Sequence, residues 1–382
     1  MPHDEIIARL RTEIDTLRDP LSGCLRVGAG QERLQTNDSL ALAWETLPRE
    51  PEKVQAVLRT LMGHQGQVHD PLNGEAPGMM PSSCLPQLTP WSPWTISDFG
   101  AAETTPLFVI VASSAIACSK KPRDLSGDLW PALRRACGWI EEGLRTAPSG
   151  LLAEPMIPKL TPADRPHRQI SPSVGRTAPG AAIKVQGYAC AALRQAAAVA
   201  EELSEDAAAR VWNGLADDLA KNVLRRFWIN REGYFASAVS GRKVERAVGS
   251  EPGHLLFTDI LDRKRADQVV RRIFRPDMFT PYGIRSLSSV APDFDAFSRR
   301  RGSVCPLDNW IISEGLRVTG RRRELSLVRD ALLRAYRELG RLPEYYAVSS
   351  AGVLGEITGA RYPHGCASGA LLNLLATSSG RR

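Results

Sequence analysis

The sequence predicts an all-α protein of about twelve helices. Three observations carry that expectation. Apolar residues recur at helical spacing along most of the chain, strand-like alternation is scarce, and the connections alternate between short and long. The spacing predicts helices over 3–18, 37–47, 51–66 and 104–118, then over 127–145, 184–203, 205–227 and 251–261. Four more follow at 262–274, 303–319, 321–339 and 364–377. In 51–66, Val54, Val57, Leu58, Leu61 and Met62 make one apolar face behind Pro51, a residue suited to the first helical turn. In 262–274 the face is Ala266, Val269, Val270, Ile273 and Phe274, with Asp262 placed to cap the helix. The apolar segment 104–118 suits an inner helix buried on both sides, whereas the charged 321–339 suits an outer one. Only GYFASAV at 233–239 alternates as a strand does.

The long connections 67–100, 146–182 and 275–302 are rich in Pro, Gly and Ser. Loops beyond ~15 residues in a compact domain are usually functional or disordered. Three in one helical chain point to a site assembled on one rim. No break in composition divides the chain, so one domain spanning 1–382 is expected.

Composition excludes several function classes. A hydrophobic share of 43% with 24% charged residues is ordinary for a globular protein with a sizeable core. No run of ~18 apolar residues is present, so no membrane helix is expected. The first residues, MPHDEIIARLRTEIDTL, carry acids where a signal peptide carries bases, so a cytoplasmic location is expected. The seven cysteines show no paired spacing and read as reduced thiols. No spaced His, Asp and Glu set suggests a metal, and no cofactor is expected. The net charge of +7 is spread among acids, and the arginine runs at 299–301 and 321–323 lack interleaved aromatics. A small-molecule substrate is therefore expected, with no nucleic acid and no membrane as partner.

Seven segments, in order, resemble the barrel of amylo-α-1,6-glucosidase-type, glycogen-debranching glycoside hydrolases. NDSLALAWETLP with the following LRTLMGHQGQVHDPLNGEAPGMM is similar to the family's first helical hairpin and loop. FGAAETTPLFVIV at 99–111 resembles "YGSVDATPLFV", and IKVQGYACAAL at 183–193 resembles "VEVQGYVYAAL". GSEPGHLLFTDIL at 249–261 and YGIRSLS at 282–288 are similar to "SNPGHLLWTGLL" and "GIRTLS". RRGSVCPLDNWIISEGL at 300–316 resembles "HRGSVWPHDNALIAEGL", and RLPEYY at 341–346 resembles "RLPELF". The resemblance runs from about residue 35 to 377 and implies an (α/α)6 toroid, a six-hairpin glycosidase-like barrel.

Glycosidic C–O cleavage needs an acid to protonate the leaving oxygen and a second carboxylate; in inverting enzymes that carboxylate activates water. The resemblance implies an inverting enzyme whose base is the glutamate of the LPE motif, here Glu344. Pro343 fixes the backbone before it and sets it at a loop-to-helix junction; otherwise Glu344 caps a neighbouring helix. The family's acid is an aspartate some twenty residues before the "EVQGY" helix. Here the one carboxylate between Glu154 and Glu201 is Asp164, in TPADRPHRQ, either the acid or a solvated loop aspartate. Arg165 and Arg168 beside it would lower its pKa, against the needs of an acid.

Asp308 and Asn309 stand where the family binds substrate, and Arg285 matches the arginine of "GIRTLS". Asp308 is alternatively the N-cap of 310–319. Glu103 replaces an aspartate of the family and is otherwise a cap for 104–118. Gln186 and Tyr188 face either the mouth or the core, His254 is a substrate ligand or a satisfied structural histidine, and Trp310 is a stacking platform or core.

Departures fall in substrate-facing segments. The family's His, Trp and second His become Arg300, Cys305 and Leu307. Its "HE" becomes Pro81-Ser82-Ser83, the glutamate of "EVQGY" is Lys184, and "PQAW" becomes Cys366-Ala367-Ser368-Gly369. Loss of buried polar readers suggests a changed, less polar substrate. Three readings follow: hydrolysis of an α-glycosidic bond; a dehydratase eliminating water from a hydroxylated natural-product intermediate; and a non-catalytic ligand-binding barrel.

Overall fold

The computed structural model describes residues 2–26, 33–84, 97–154 and 180–379. Among them are eleven α-helices. They are α1 (His3–Leu17), α2 (Thr36–Thr46), α3 (Pro51–Met62), α4 (Thr104–Cys118), α5 (Pro122–Thr146) and α6 (Ile183–Glu202), followed by α7 (Asp206–Phe227), α8 (Arg263–Ile273), α9 (Pro306–Val318), α10 (Arg322–Leu339) and α11 (Gly365–Ser379). A 3-10 helix spans Glu251–Phe257.

Packing closes a ring. α2 packs on α4, α4 on α6, α6 on the 3-10 helix, that helix on α9, α9 on α11, and α11 returns to α2. Outside it, α3 leans on α2 and α4, α5 on α4 and α6, and α7 on α6. α8 backs the 3-10 helix, α10 backs α9 and α11, and α1 backs α11. Six inner and six outer segments make the (α/α)6 toroid that the resemblance implied. α4 is buried around nearly its whole circumference, from Thr104 to Ile116, as an inner helix must be. α10 buries only the stripe Val328, Ala331, Leu332, Leu333, Ala335 and Tyr336, and Gly340 closes it in the left-handed conformation at φ 71°. Asp262 caps α8 as expected, its carboxylate accepting from Arg265 N at 2.7 Å. α5 begins at Pro122, five residues before the apolar period at 127 suggested, because Pro is tolerated in a first turn.

Segment 251–261 reads as an α-helix but folds as the short 3-10 helix, and close packing accounts for it. A Cβ on Gly253 would lie 2.7 Å from Ile273 Cδ1 and 2.9 Å from Ile312 Cγ1. Residues three apart eclipse in a 3-10 helix, so Glu251, His254 and Phe257 share one face. Phe257 meets Trp44 of α2 at 5.1 Å and Tyr188 of α6 at 5.8 Å, and Trp44 meets Trp310 of α9 at 5.2 Å. Four ring members thus supply one aromatic cluster, which places that shared face toward the middle of the toroid.

α9 crosses the same helix closely at Gly315, where an added Cβ would lie 2.4 Å from Leu256 Cβ. Gly315→Ala is expected to cost about 1–3 kcal/mol in urea denaturation through overpacking. An unchanged midpoint would mean that this crossing is loose. Strands are few and short among the described residues. Tyr234–Phe235 and Ala238–Ser240 fall in the alternating segment. No described helix is long and apolar enough to cross a membrane.

Candidate active site

Three extended segments bring the mouth together. Val304 bridges Arg285 on one side and Tyr346 on the other, with Val304 N donating to Tyr346 O at 2.9 Å and Tyr346 N to Val304 O at 3.0 Å. Glu344 N donates to Arg361 O at 2.9 Å, which ties the LPE loop to the segment entering α11. Glu344 follows α10 and leads into a strand, so it stands at a loop-to-strand junction, not the expected loop-to-helix one.

The Glu344 side chain is buried and held by two arginines. Arg361 Nε donates to Oε2 at 2.8 Å and its Nη2 to Oε1 at 3.0 Å, while Arg299 Nη2 lies 2.6 Å from Oε1. The same Arg361 Nη2 reaches Asp38 Oδ2 of α2 at 3.0 Å, and His364 Nε2 lies 3.4 Å from that oxygen. Burial alone would lift the Glu344 carboxyl, but the Arg361 hydrogen bonds and the surrounding positive charge outweigh it and hold it below the usual range. Asp38 is depressed likewise, against burial, by His364 and Arg361. A carboxylate offers about four lone-pair sites. Three are occupied on Glu344, which leaves one on Oε2.

A second polar group gathers on α4, α6, the 3-10 helix and α9. Lys184 Nζ lies 3.1 Å from Glu103 Oε1, so Glu103 sits at the N-cap position of α4 without capping through its side chain. Glu154 Oε2 accepts from Ala102 N at 3.2 Å. Asp308 falls in the first turn of α9, which begins at Pro306; its Oδ2 accepts from Ser250 Oγ at 3.3 Å, and its Oδ1 lies 3.7 Å from His254 Nε2. Tyr188 Oη lies 2.8 Å from His254 Nδ1. Burial pushes His254 down to about 4, so the ring is neutral. Tyr188 can then donate to Nδ1, with the ring proton on Nε2 facing Asp308. Burial, then repulsion from Glu103, lifts Glu154 to about 7, and burial lifts Glu251 also. Glu103 is lowered instead: burial opposes, but the Lys184 charge prevails.

The remaining expected site residues lie in the walls. Arg285 is 2% exposed and donates to the carbonyls of Val348 and Ser349, the latter at 2.7 Å. Asn309 accepts from Ile284 N at 2.7 Å and donates to Ile284 O at 3.0 Å and Cys305 O at 2.9 Å. Gln186 accepts from Leu152 N at 2.8 Å and donates to Leu152 O at 2.7 Å. Trp310 is in the aromatic cluster at 1% exposed. Arg285, Asn309 and Gln186 brace the backbone and Trp310 packs in the core, whereas Glu103, Tyr188, His254 and Asp308 come together beside them. Asp164 lies outside the described residues. No metal-holding group of three His, Cys, Asp or Glu occurs among the described residues.

Sequence reasoning missed Asp38, Glu154, Glu251, Arg299 and Arg361. Arg361 and Asp38 are 323 positions apart, and no local pattern announces such a pair. Glu154 had one available signal, a carboxylate at the edge of a long Pro-rich connection.

A family model, the mannosylglycerate hydrolase MGH1-like glycoside hydrolase domain, matches residues 140–364. No curated protein matches the chain. Among solved structures, the GH63 mannosylglycerate hydrolase from Thermus thermophilus in complex with glucose is similar at TM-score 0.74 and 16% identity, over 97% of this chain and 100% of that one. The same hydrolase with Tris and D-glycerate gives 0.75 and 15%, over 97% and 100%. An uncharacterized conserved protein from Thermus thermophilus gives 0.73 and 16%, again over 97% and 100%. At these identities the likeness is one of fold.

Proposed function

The chain belongs to the mannosylglycerate hydrolase MGH1-like glycoside hydrolase family, and from that membership we propose that it hydrolyses an α-glycosidic bond with inversion, Glu344 acting as base. It is a hydrolase with a glycosidase barrel. The reading of Glu344 is carried by one observation: a buried carboxylate, kept ionised by two arginines, with a lone-pair site left on Oε2. Such a group receives a proton from water without having to lose one first. Water donating to that site would be oriented with its oxygen toward the anomeric carbon, and the departing proton would rest on Glu344.

Asp164 is the proposed acid, giving its proton to the leaving oxygen. Asp308 and Glu103 are the proposed hydrogen-bonding readers of the sugar, with Tyr188 and His254 orienting Asp308. Arg285, Asn309, Gln186 and Trp310 act through the wall they stiffen. Neither the family nor the fold neighbours speak for water elimination or for a barrel without activity, so the hydrolytic reading stands alone.

The test is the stereochemistry of the first product. α-Linked glycosides, mannosylglycerate among them, are incubated with the enzyme and the released sugar is followed by proton NMR before mutarotation. The β-anomer is expected first. The α-anomer appearing first, or release from β-glycosides only, sinks the inverting α-hydrolase reading.

A further inference from the structure

The geometry points to a cation subsite beside this reaction centre: Glu103, Glu154, Glu251 and Asp308, fronted by Nε2 of His254, receive an ammonium carried on the sugar, so that the substrate is an amino-sugar glycoside. This deepens the hydrolytic reading and rests on it.

Among the described residues, the acids of this group outnumber the cations beside them. Glu103, Glu154, Glu251 and Asp308 act on one another electrostatically, and among the described residues the permanent cations set against them are Lys184 and Arg300. Full ionisation of the four would leave two negative charges uncompensated among the described residues. Burial and like-charged neighbours lift the carboxyls of both Glu154 and Glu251, which eases the repulsion in the resting protein. A ligand ammonium supplies positive charge and so favours the ionised form of both carboxyls. Lys184 shows that the setting accepts an ammonium, since its Nζ already sits 3.1 Å from Glu103.

His254 gives a second and independent sign of a ligand. The residue is 1% exposed, yet its Nε2 has no hydrogen-bond partner, and the nearest carboxylate oxygen, Asp308 Oδ1, stands off at 3.7 Å. A buried donor left unmatched is costly. Glu251 Oε2 is also buried without a partner, on the same face of the 3-10 helix. The unmatched Nε2–H calls for an acceptor such as a sugar hydroxyl, and the surplus carboxylates call for a donor cation. An amine and a hydroxyl on adjacent ring carbons supply both.

The experiment is calorimetric titration of the whole protein with D-glucosamine, D-glucose and N-acetyl-D-glucosamine, in two buffers of different ionisation heat. Glucosamine is expected to bind at least about ten-fold more tightly than either neutral sugar, a difference of about 1.4 kcal/mol. Its binding near pH 7 is expected to release protons to the buffer. Glu154→Gln and Glu251→Gln are each expected to shrink the preference and the proton release. Equal binding of the three sugars, no binding of glucosamine, or a preference unchanged in both variants overturns the subsite. Glu344→Gln separates the two readings. A variant that stays active while wild type prefers glucosamine defeats the base alone; an inactive variant without any ammonium preference in wild type defeats the subsite alone.

Discussion

Glu344→Gln is expected to lower kcat/KM by about a thousandfold, with most of the loss in kcat. General base catalysis by a positioned side chain contributes typically about 10²–10⁴-fold. The amide keeps an oxygen for Arg361 or Arg299 but has no charge with which to take a proton from water. In the proposed reading the second polar group binds the substrate, so KM should change much less than kcat. A purely structural glutamate would behave differently, lowering stability and leaving the turnover of the folded fraction intact. The pH profile gives a further check. Glu344 must be ionised to act, and its carboxyl lies below the usual range despite its burial. The acidic limb of kcat/KM in the wild type is therefore expected below ~4.3, the ordinary glutamate value, with activity lost as pH falls through the lowered pKa. A limb near or above neutrality assigned to this residue would contradict the arginine pairing. So would a Gln variant within about tenfold of wild type.

How much could be read in advance depended on the range of the interactions. The ring of α2, α4, α6, the 3-10 helix, α9 and α11 was legible because helical periodicity is local and each helix writes its own apolar stripe. The 3-10 helix was the exception. Gly253 is forced by contact with Ile273 and Ile312, residues of other elements, and spacing alone does not reveal such neighbours. Asp262 was legible through capping chemistry, and the motif singled out Glu344, though not the arginines that hold it. Gln186, Asn309 and Arg285 were legible as polar residues in inner segments but not as braces, since their partners are backbone groups of other segments. The ion-pair network was wholly illegible. Asp38 opens the ring, Arg361 and His364 close it, and only the closed toroid sets them side by side. The departures in the sequence also take on a physical sense there. Lys184 stands where the resembled family has a glutamate and faces Glu103, so two acids of that family become an ion pair here.

Arg361→Leu is expected to destabilise the fold by about 3–5 kcal/mol in urea denaturation, more than any single exposed ion pair would. Surface pairs contribute about 0–1 kcal/mol because water competes for both partners. Arg361 differs because it serves two carboxylates at once, Glu344 through Nε and Nη2 and Asp38 through Nη2, and both are largely shielded from water. Removing it leaves Glu344 with Arg299 and Asp38 with His364, so the cost is that of buried charge left short of compensation. Asp38 and Glu344 both have carboxyls depressed in the folded state, so their stabilising contribution is present above the unfolded carboxylate range and lost as pH falls through the depressed values. The variant should therefore lose least at acidic pH, where wild type has already given up part of that contribution, and most near neutrality. Arg361→Lys, which keeps a charge but not the fork, should lose less than the leucine variant. Because the same arginine lowers the Glu344 pKa, any residual hydrolysis in Arg361→Leu should show its acidic limb displaced upward. A loss below about 1 kcal/mol, or an unmoved limb, would mean that the first and last inner helices are held together by α11 packing alone and that Glu344 is ionised by Arg299 without help.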